Sequence, residues 1–249
     1  MSLAPELLAL LFAVGLLAGA ISAAAGGASF VTFPALVWLG LPPIEANATN
    51  FVGLTPGNVA ALFAFRRELR VIGWALAGPI AVASLGGLTG TVLVLWLGAG
   101  AFAGAISYLM GGATLLFAFA PYLRTQIEWF SLGRVFPAML LFVLSAYGGY
   151  FGAGLGQIML AAMTLIGLSD FNQANGAKNA VLVAMSAISI VVFAFSGLVS
   201  WSHAIVMMVG TSLGGFFGGA LSRVLPQSLL RWGVIVFGVF LTLYYFFTG

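Results

Sequence analysis

The 249-residue chain has no cysteine, which removes disulfides, thiolate nucleophiles and cysteine metal sites together. Charge is nearly as scarce. Only 5% of residues are charged, against about 25% in soluble domains, so this composition cannot furnish a water-facing surface. There is one histidine, His203, and five acids. With no HExxH motif and no paired acids within an apolar segment, the usual metal and nucleophile sites lack their ligands. No cofactor or metal is expected, and catalytic residues are expected to be absent. The net charge of +3 comes from loop arginines and a single lysine, which makes no nucleic-acid patch.

What remains is 62% hydrophobic, with mean hydropathy +1.18. That is an all-α polytopic membrane protein, whose obligatory partner is a lipid bilayer. The 34 glycines suit lipid-embedded helices that approach closely. The opening MSLAPELLALLFAVGLLAGA lacks a basic n-region and reads as a retained first helix rather than a signal. Apolar segments of spanning length fall near 4–24, 46–65, 72–97, 101–121, 132–152, 174–197, 203–222 and 229–247. Two shorter ones, 28–41 and 155–168, reach only about 21 Å as helices, and both are entered through glycine breaks.

The chain repeats itself. Ser84-Leu-Gly-Gly-Leu-Thr-Gly90 corresponds to Ser212-Leu-Gly-Gly-Phe-Phe-Gly218, and Asn47 to Asn175. Gly27 and Gly40 correspond to Gly154 and Gly167, and Trp74 to Trp201, at offsets of 127 or 128. Two repeats of about five segments follow, 1–121 and 132–249, joined by a link at 122–131. Arg66, Arg67 and Arg70 mark one loop as cytoplasmic, the link at 122–131, with Arg124 and Arg134 near its ends, is then cytoplasmic too, and Arg223 to Arg231 mark a loop of the second half. The stretch equivalent to 66–70 in the second half, Gly197 to Ser202, has no Lys or Arg. Basic residues that change loops between halves are what inverted repeats require under the positive-inside rule. The expectation is ten membrane segments with both termini outside.

Short glycine-interrupted segments in corresponding positions of two inverted halves point to a transporter's binding site. The breaks at Ala25-Gly26-Gly27 and Gly152-Ala153-Gly154-Leu155-Gly156 offer backbone N–H groups at new helix N-termini, which favour anions. Ser29 and Gln157 stand beside them. Lys178, the only lysine, lies within Asn172-Gln-Ala-Asn-Gly-Ala-Lys-Asn179, where a charge in an apolar helix is costly. A lysine that snorkels to the interface is the competing reading. Asn175 and Asn179, one turn apart, favour a polar face. Asn47, Thr49 and Asn50 are the matching cluster of the first half. Glu45 and Asp170 precede these helices, with first-turn or capping roles expected and proton coupling the weaker alternative.

At these motifs the chain resembles the TauE/SafE family of sulfite exporter-like membrane permeases. The likeness rests on Gly26-Gly27, Phe33-Pro34-Ala-Leu, Ala46-Asn-Ala-Thr-Asn50, Gly148-Gly-Tyr-Phe-Gly-Ala-Gly-Leu-Gly156 and Ala174-Asn-Gly-Ala-Lys-Asn179. It implies a multi-pass cytoplasmic-membrane transporter of small sulfur-containing anions such as sulfite, organosulfonates or thiosulfate. Asn50 in the first copy and Lys178 at the aligned position of the second break the symmetry, and one basic group suits a small anion. An inside-negative potential favours export of an anion. The alternatives are a passive anion channel and an intramembrane enzyme. A Ser186–Lys178 pair, two turns apart on one helix, is too far for a hydrogen bond. GxxxG spacings such as Gly86 to Gly90 suit a homo-oligomer or internal packing equally.

Overall fold

The computed structural model describes residues 5–24, 26–127, 135–168, 170–221 and 227–248. Ala25, the later part of the link, Arg134 and Arg223 lie outside the described residues, as does the side chain of Arg124. Every regular element described is helical: α1 (Pro5–Ala24), α2 (Ser29–Trp38), α3 (Pro43–Ala64), α4 (Arg66–Ile72), a 3₁₀ turn (Gly73–Leu76), α5 (Ala77–Ile127), α6 (Val135–Tyr150), α7 (Leu155–Leu165), α8 (Phe171–Ser196), α9 (Trp201–Leu221) and α10 (Gln227–Thr248). The expected segments therefore reappear, with two differences. The segment expected from 72 begins only at 77, because 66–72 forms a helix of its own. The two segments expected at 72–97 and 101–121 are limbs of one helix, broken at Gly98 (φ 76°, ψ 178°) and continuing to Ile127, so the first part of the link is helical.

By length and apolarity, 5–23, 66–120 and 171–196 are capable of crossing a bilayer. The polar residues of α3 and the shortness of α2 and α7 set those helices apart. Trp38, Trp74, Trp96, Trp201 and Trp232 are all exposed and stand at or near helix ends or the α5 bend, where indole rings favour the headgroup level.

Small residues decide which helices touch. Gly15 and Gly53 both face Met207, and Gly19 and Gly57 both face Thr211, with no room for a side chain. Hence α1, α3 and α9 run side by side in one direction. Gly86 lies against Phe142 and Ser145, Gly90 against Ala146 and Tyr150, and Gly87 against Met185. Thr91 donates to Ser189 Oγ at 2.8 Å. So α6 and α8 run together with the first limb of α5. α3 and α8 pass antiparallel, because Phe51 meets Phe193 while Phe65 meets Gly176. Such backbone proximity provides the dispersion contact that lipid-embedded helices need.

Between α1 and α3 the short α2 reverses the chain, and between α6 and α8 the short α7 does the same. Both short helices end alike. Leu41 N–H bonds Leu36 O at 3.2 Å and Leu168 N–H bonds Met163 O at 3.2 Å, across Gly40 (φ 93°) and Gly167 (φ 104°). This is the Schellman closure, in which glycine takes the left-handed position.

Candidate functional site

The two helical hairpins, α1–α2 and α6–α7, turn at their glycines. Gly26 (φ 71°), Gly27 (φ 90°), Gly152 (φ 75°) and Gly154 (φ 71°) occupy left-handed backbone, which costs about 1–2 kcal/mol per residue for other L-residues. The turns meet tip to tip. A Cβ on Gly26 would stand 2.9 Å from Gly156 Cα and 3.0 Å from the backbone N of Gln157, and a Cβ on Gly156 would stand 2.8 Å from Gly26 Cα. Neither tip accepts a methyl group without moving the other.

Beside this contact lies a cavity of about 60 Å³, room for a few waters or a small polyatomic ion, since one water needs about 10–15 Å³. Gly27, Ala28 and Ser29 line it from one tip, and Gly152, Leu155 and Gly156 from the other. α3 contributes Asn50, Phe51, Leu54, Thr55 and Asn58, and α8 contributes Leu182, Met185 and Ser186. Ser22 Oγ donates to Asn58 Oδ1 at 3.0 Å, tying α1 to α3 along the wall.

The first-half polar cluster is largely satisfied. Asn50 donates to Ser29 Oγ at 3.2 Å and its Oδ1 accepts from the Thr32 hydroxyl, which braces the start of α2 on α3. Asn47 Nδ2 donates to Tyr150 O at 2.9 Å, gripping the last carbonyl of α6. Tyr147 O–H donates to Ala153 O at 2.7 Å and fixes the second tip internally. Thr49 turns from the cavity, since its hydroxyl accepts the Ser200 N–H at 2.9 Å ahead of α9.

The second half differs. Lys178, Asn175 and Asn179 are at most 2% exposed. Asn175 Oδ1 and both amide atoms of Asn179 find no hydrogen-bond partner among the described residues, and neither does Asn47 Oδ1. Each such atom costs about 1–3 kcal/mol. Lys178 and Asn179 precede the cavity-lining Leu182 by about one turn, so they sit at the end of the cavity wall rather than in it. All the described acids (Glu6, Glu45, Glu68 and Asp170) fall in, or just before, the first turns of helices. Asp170 accepts from Gln173 N–H at 2.8 Å and caps α8, while Glu45 occupies the first turn of α3.

Gly27, Ser29, Gly156 and Asn50 are thus brought together at the cavity, with Gly154 capping α7 and Gly26 and Gln157 at the tip contact. Ser22, Thr55 and Met185 joined without a sequence signal, being ordinary residues of apolar helices.

The family model described as sulfite exporter TauE/SafE matches residues 11–245. The chain belongs to the TauE/SafE family. A Haemophilus influenzae protein named "Probable membrane transporter protein" is 32% identical, covering 97% of this chain and 95% of its own. "Probable membrane transporter protein YfcA" of Escherichia coli strain K12 is 31% identical over 93% and 87%. "Probable membrane transporter protein ORF9" of a Sinorhizobium species is 25% identical over 92% and 88%. No solved structure matches the chain. As a TauE/SafE member it is a multi-pass membrane protein of transporter type, and the cavity between its helix breaks is its candidate site.

Proposed function

We propose that this chain exports small sulfur-containing anions of the sulfite, organosulfonate or thiosulfate kind across the cytoplasmic membrane. It works by alternating access between two inverted halves, 1–121 and 132–249, and moves its solute without making or breaking bonds. The observation that carries the reading is the meeting of two glycine tips at a small cavity, flanked by a buried lysine and amides without partners. Asn179 Nδ2 is a buried donor without a partner among the described residues, which an oxyanion can engage, and an oxyanion facing Lys178 supplies the missing charge.

Helix directions support the inversion. α1 accompanies α9 while its repeat counterpart α6 accompanies the first limb of α5, the counterpart of α9. Together with the antiparallel passage of α3 and α8, this is the pattern expected if α1, α3 and the first limb of α5 are reversed in α6, α8 and α9. Near its start α10 lies beside the second limb of α5, where Arg231 Nη2 donates to Ala118 O at 2.6 Å. A location of Arg231 on the same side as Arg66, Arg67 and Arg70 is what the positive-inside rule asks of inverted halves. Two tips that meet across a pseudo-twofold axis lie near mid-depth, where irregular backbone is tolerated only beside a cavity.

In this mechanism Asn50 ties the start of α2 to α3 and Asn47 ties the end of α6 to α3, so that α3 braces both tips. Lys178 and Asn179 supply charge and amide contacts from α8, and the glycine tips supply backbone donors. Thermal unfolding of the purified full-length protein tests this, with sulfite, thiosulfate, organosulfonates, sulfate and chloride as ligands. A ligand that binds only the native state raises the melting temperature as its concentration passes Kd. Stabilisation by a sulfur oxyanion that is lost in Lys178→Met supports the reading. Equal responses of wild type and Lys178→Met remove Lys178 from the site, and no response to any sulfur anion removes the substrate class.

A further inference from the structure

The connection between the third and fourth helices differs between the halves. In the second half, residues 197–200 pass directly into α9. In the first half the same connection builds α4 and a 3₁₀ turn. Orientation in the membrane needs only positive charge on a loop and does not call for a helix.

α4 has two distinct faces. Phe65 and Leu69 lie against Gly176 of α8, 3.1 and 3.5 Å from where its Cβ would stand. Ile72 and Glu68 are half-buried on the same side, and one carboxylate oxygen of Glu68 is sealed inside without a partner among the described residues. Arg66, Arg67 and Arg70 are all exposed, at spacings that put them on the opposite face. No ion pair or hydrogen bond engages their guanidinium groups among the described residues. The Glu68 carboxylate, their nearest acid in sequence, faces away from them. Val71 is 75% and Trp74 93% exposed in the same stretch, which sets this segment where indole meets headgroups.

We propose that the outer face of α4 is a docking surface for anionic phospholipid headgroups of the cytoplasmic leaflet. Three free guanidinium groups match phosphate in charge and in bidentate geometry, while Val71 and Trp74 dip into the apolar boundary beside them. The inner face rests on Gly176 of α8 and holds the helix in place. The surface is independent of the transport reading and stands or falls separately from it.

The test is thermal unfolding of the detergent-purified full-length protein titrated with dioleoyl phosphatidylglycerol or dioleoyl phosphatidylcholine. Phosphatidylglycerol is expected to raise the wild-type melting temperature in a saturable, salt-sensitive way, and phosphatidylcholine is expected to leave it unchanged. Each basic residue near an anionic surface contributes enough that R66Q/R67Q/R70Q should weaken the apparent phosphatidylglycerol affinity about a hundredfold. R66K/R67K/R70K should keep most of the response. If the triple glutamine variant melts below wild type without lipid, the single variant R70Q serves, with about a fivefold loss expected. An undiminished phosphatidylglycerol response in the glutamine variants overturns the proposal. So does equal stabilisation by phosphatidylcholine, or by inorganic phosphate alone. Lys178→Met should retain the lipid response whatever becomes of its anion response.

Discussion

Adding one methyl group at the tip contact is the most informative perturbation of this architecture. Gly156 is an ordinary helical residue of α7, so Gly156→Ala carries no backbone strain and gains helix propensity. Its new Cβ, however, falls 2.8 Å from Gly26 Cα, a backbone atom that cannot rotate aside. Overpacking of this kind costs about 1–3 kcal/mol, against a propensity gain of about 0.5–1 kcal/mol. Gly26→Ala meets the same contact from the other side, 2.9 Å from Gly156 Cα, and adds the left-handed penalty of about 1–2 kcal/mol. It should be the more damaging of the two. The double variant should cost less than the sum, because tips already forced apart accept the second methyl group more easily. Gly104→Ala is the control, on a helix with nothing within 4 Å of its added Cβ, and should be neutral or slightly stabilising. Chemical and thermal unfolding in a fixed detergent reads all four. If Gly156→Ala matches Gly104→Ala, the tips do not meet and the reasoning fails.

Three further outcomes follow from the hydrogen-bond arrangement. Asn179→Leu replaces two partnerless amide atoms by an apolar group of similar size, so unliganded stability should rise by about 1 kcal/mol while anion-induced stabilisation is lost; a fall in both would show a structural amide. Thr49→Val removes the acceptor for Ser200 N–H and should cost about 1 kcal/mol with anion response intact, measured by the same melting series. Asp170→Ala removes the α8 cap at a cost of about 0.5–2 kcal/mol, and transport into proteoliposomes should persist, whereas a proton-coupling role would abolish it.

The membrane class and helix positions were legible because apolar runs of bilayer length leave little choice, and Gly40 with Gly167 marks the repeat in the sequence itself. A repeat reports equivalence and not contact, so nothing in the offset of 127 indicates that Gly26 touches Gly156. Thr49 shows the same limit. It shares a stretch with Asn47 and Asn50, but Ser200, 151 positions away, engages it elsewhere. Lys178 was visible as a costly charge in an apolar helix, and the structure adds that its neighbour Asn179 is without partners among the described residues. α4 was hidden in plain view: three arginines within five residues read as an orientation signal, while Phe65, Leu69 and Ile72 beneath them had the helical spacing of a packed face.

The central claim, carrier transport through a site that includes Lys178, is tested most directly by counterflow in proteoliposomes. Vesicles preloaded with unlabelled sulfite or thiosulfate are diluted into a trace of the same anion labelled with radioactive sulfur, and uptake is followed. A carrier predicts transient accumulation of label above equilibrium, saturable with internal anion and absent in Lys178→Met. Label that only equilibrates, at a rate linear in concentration and unaffected by the preload, would contradict the account and describe a channel.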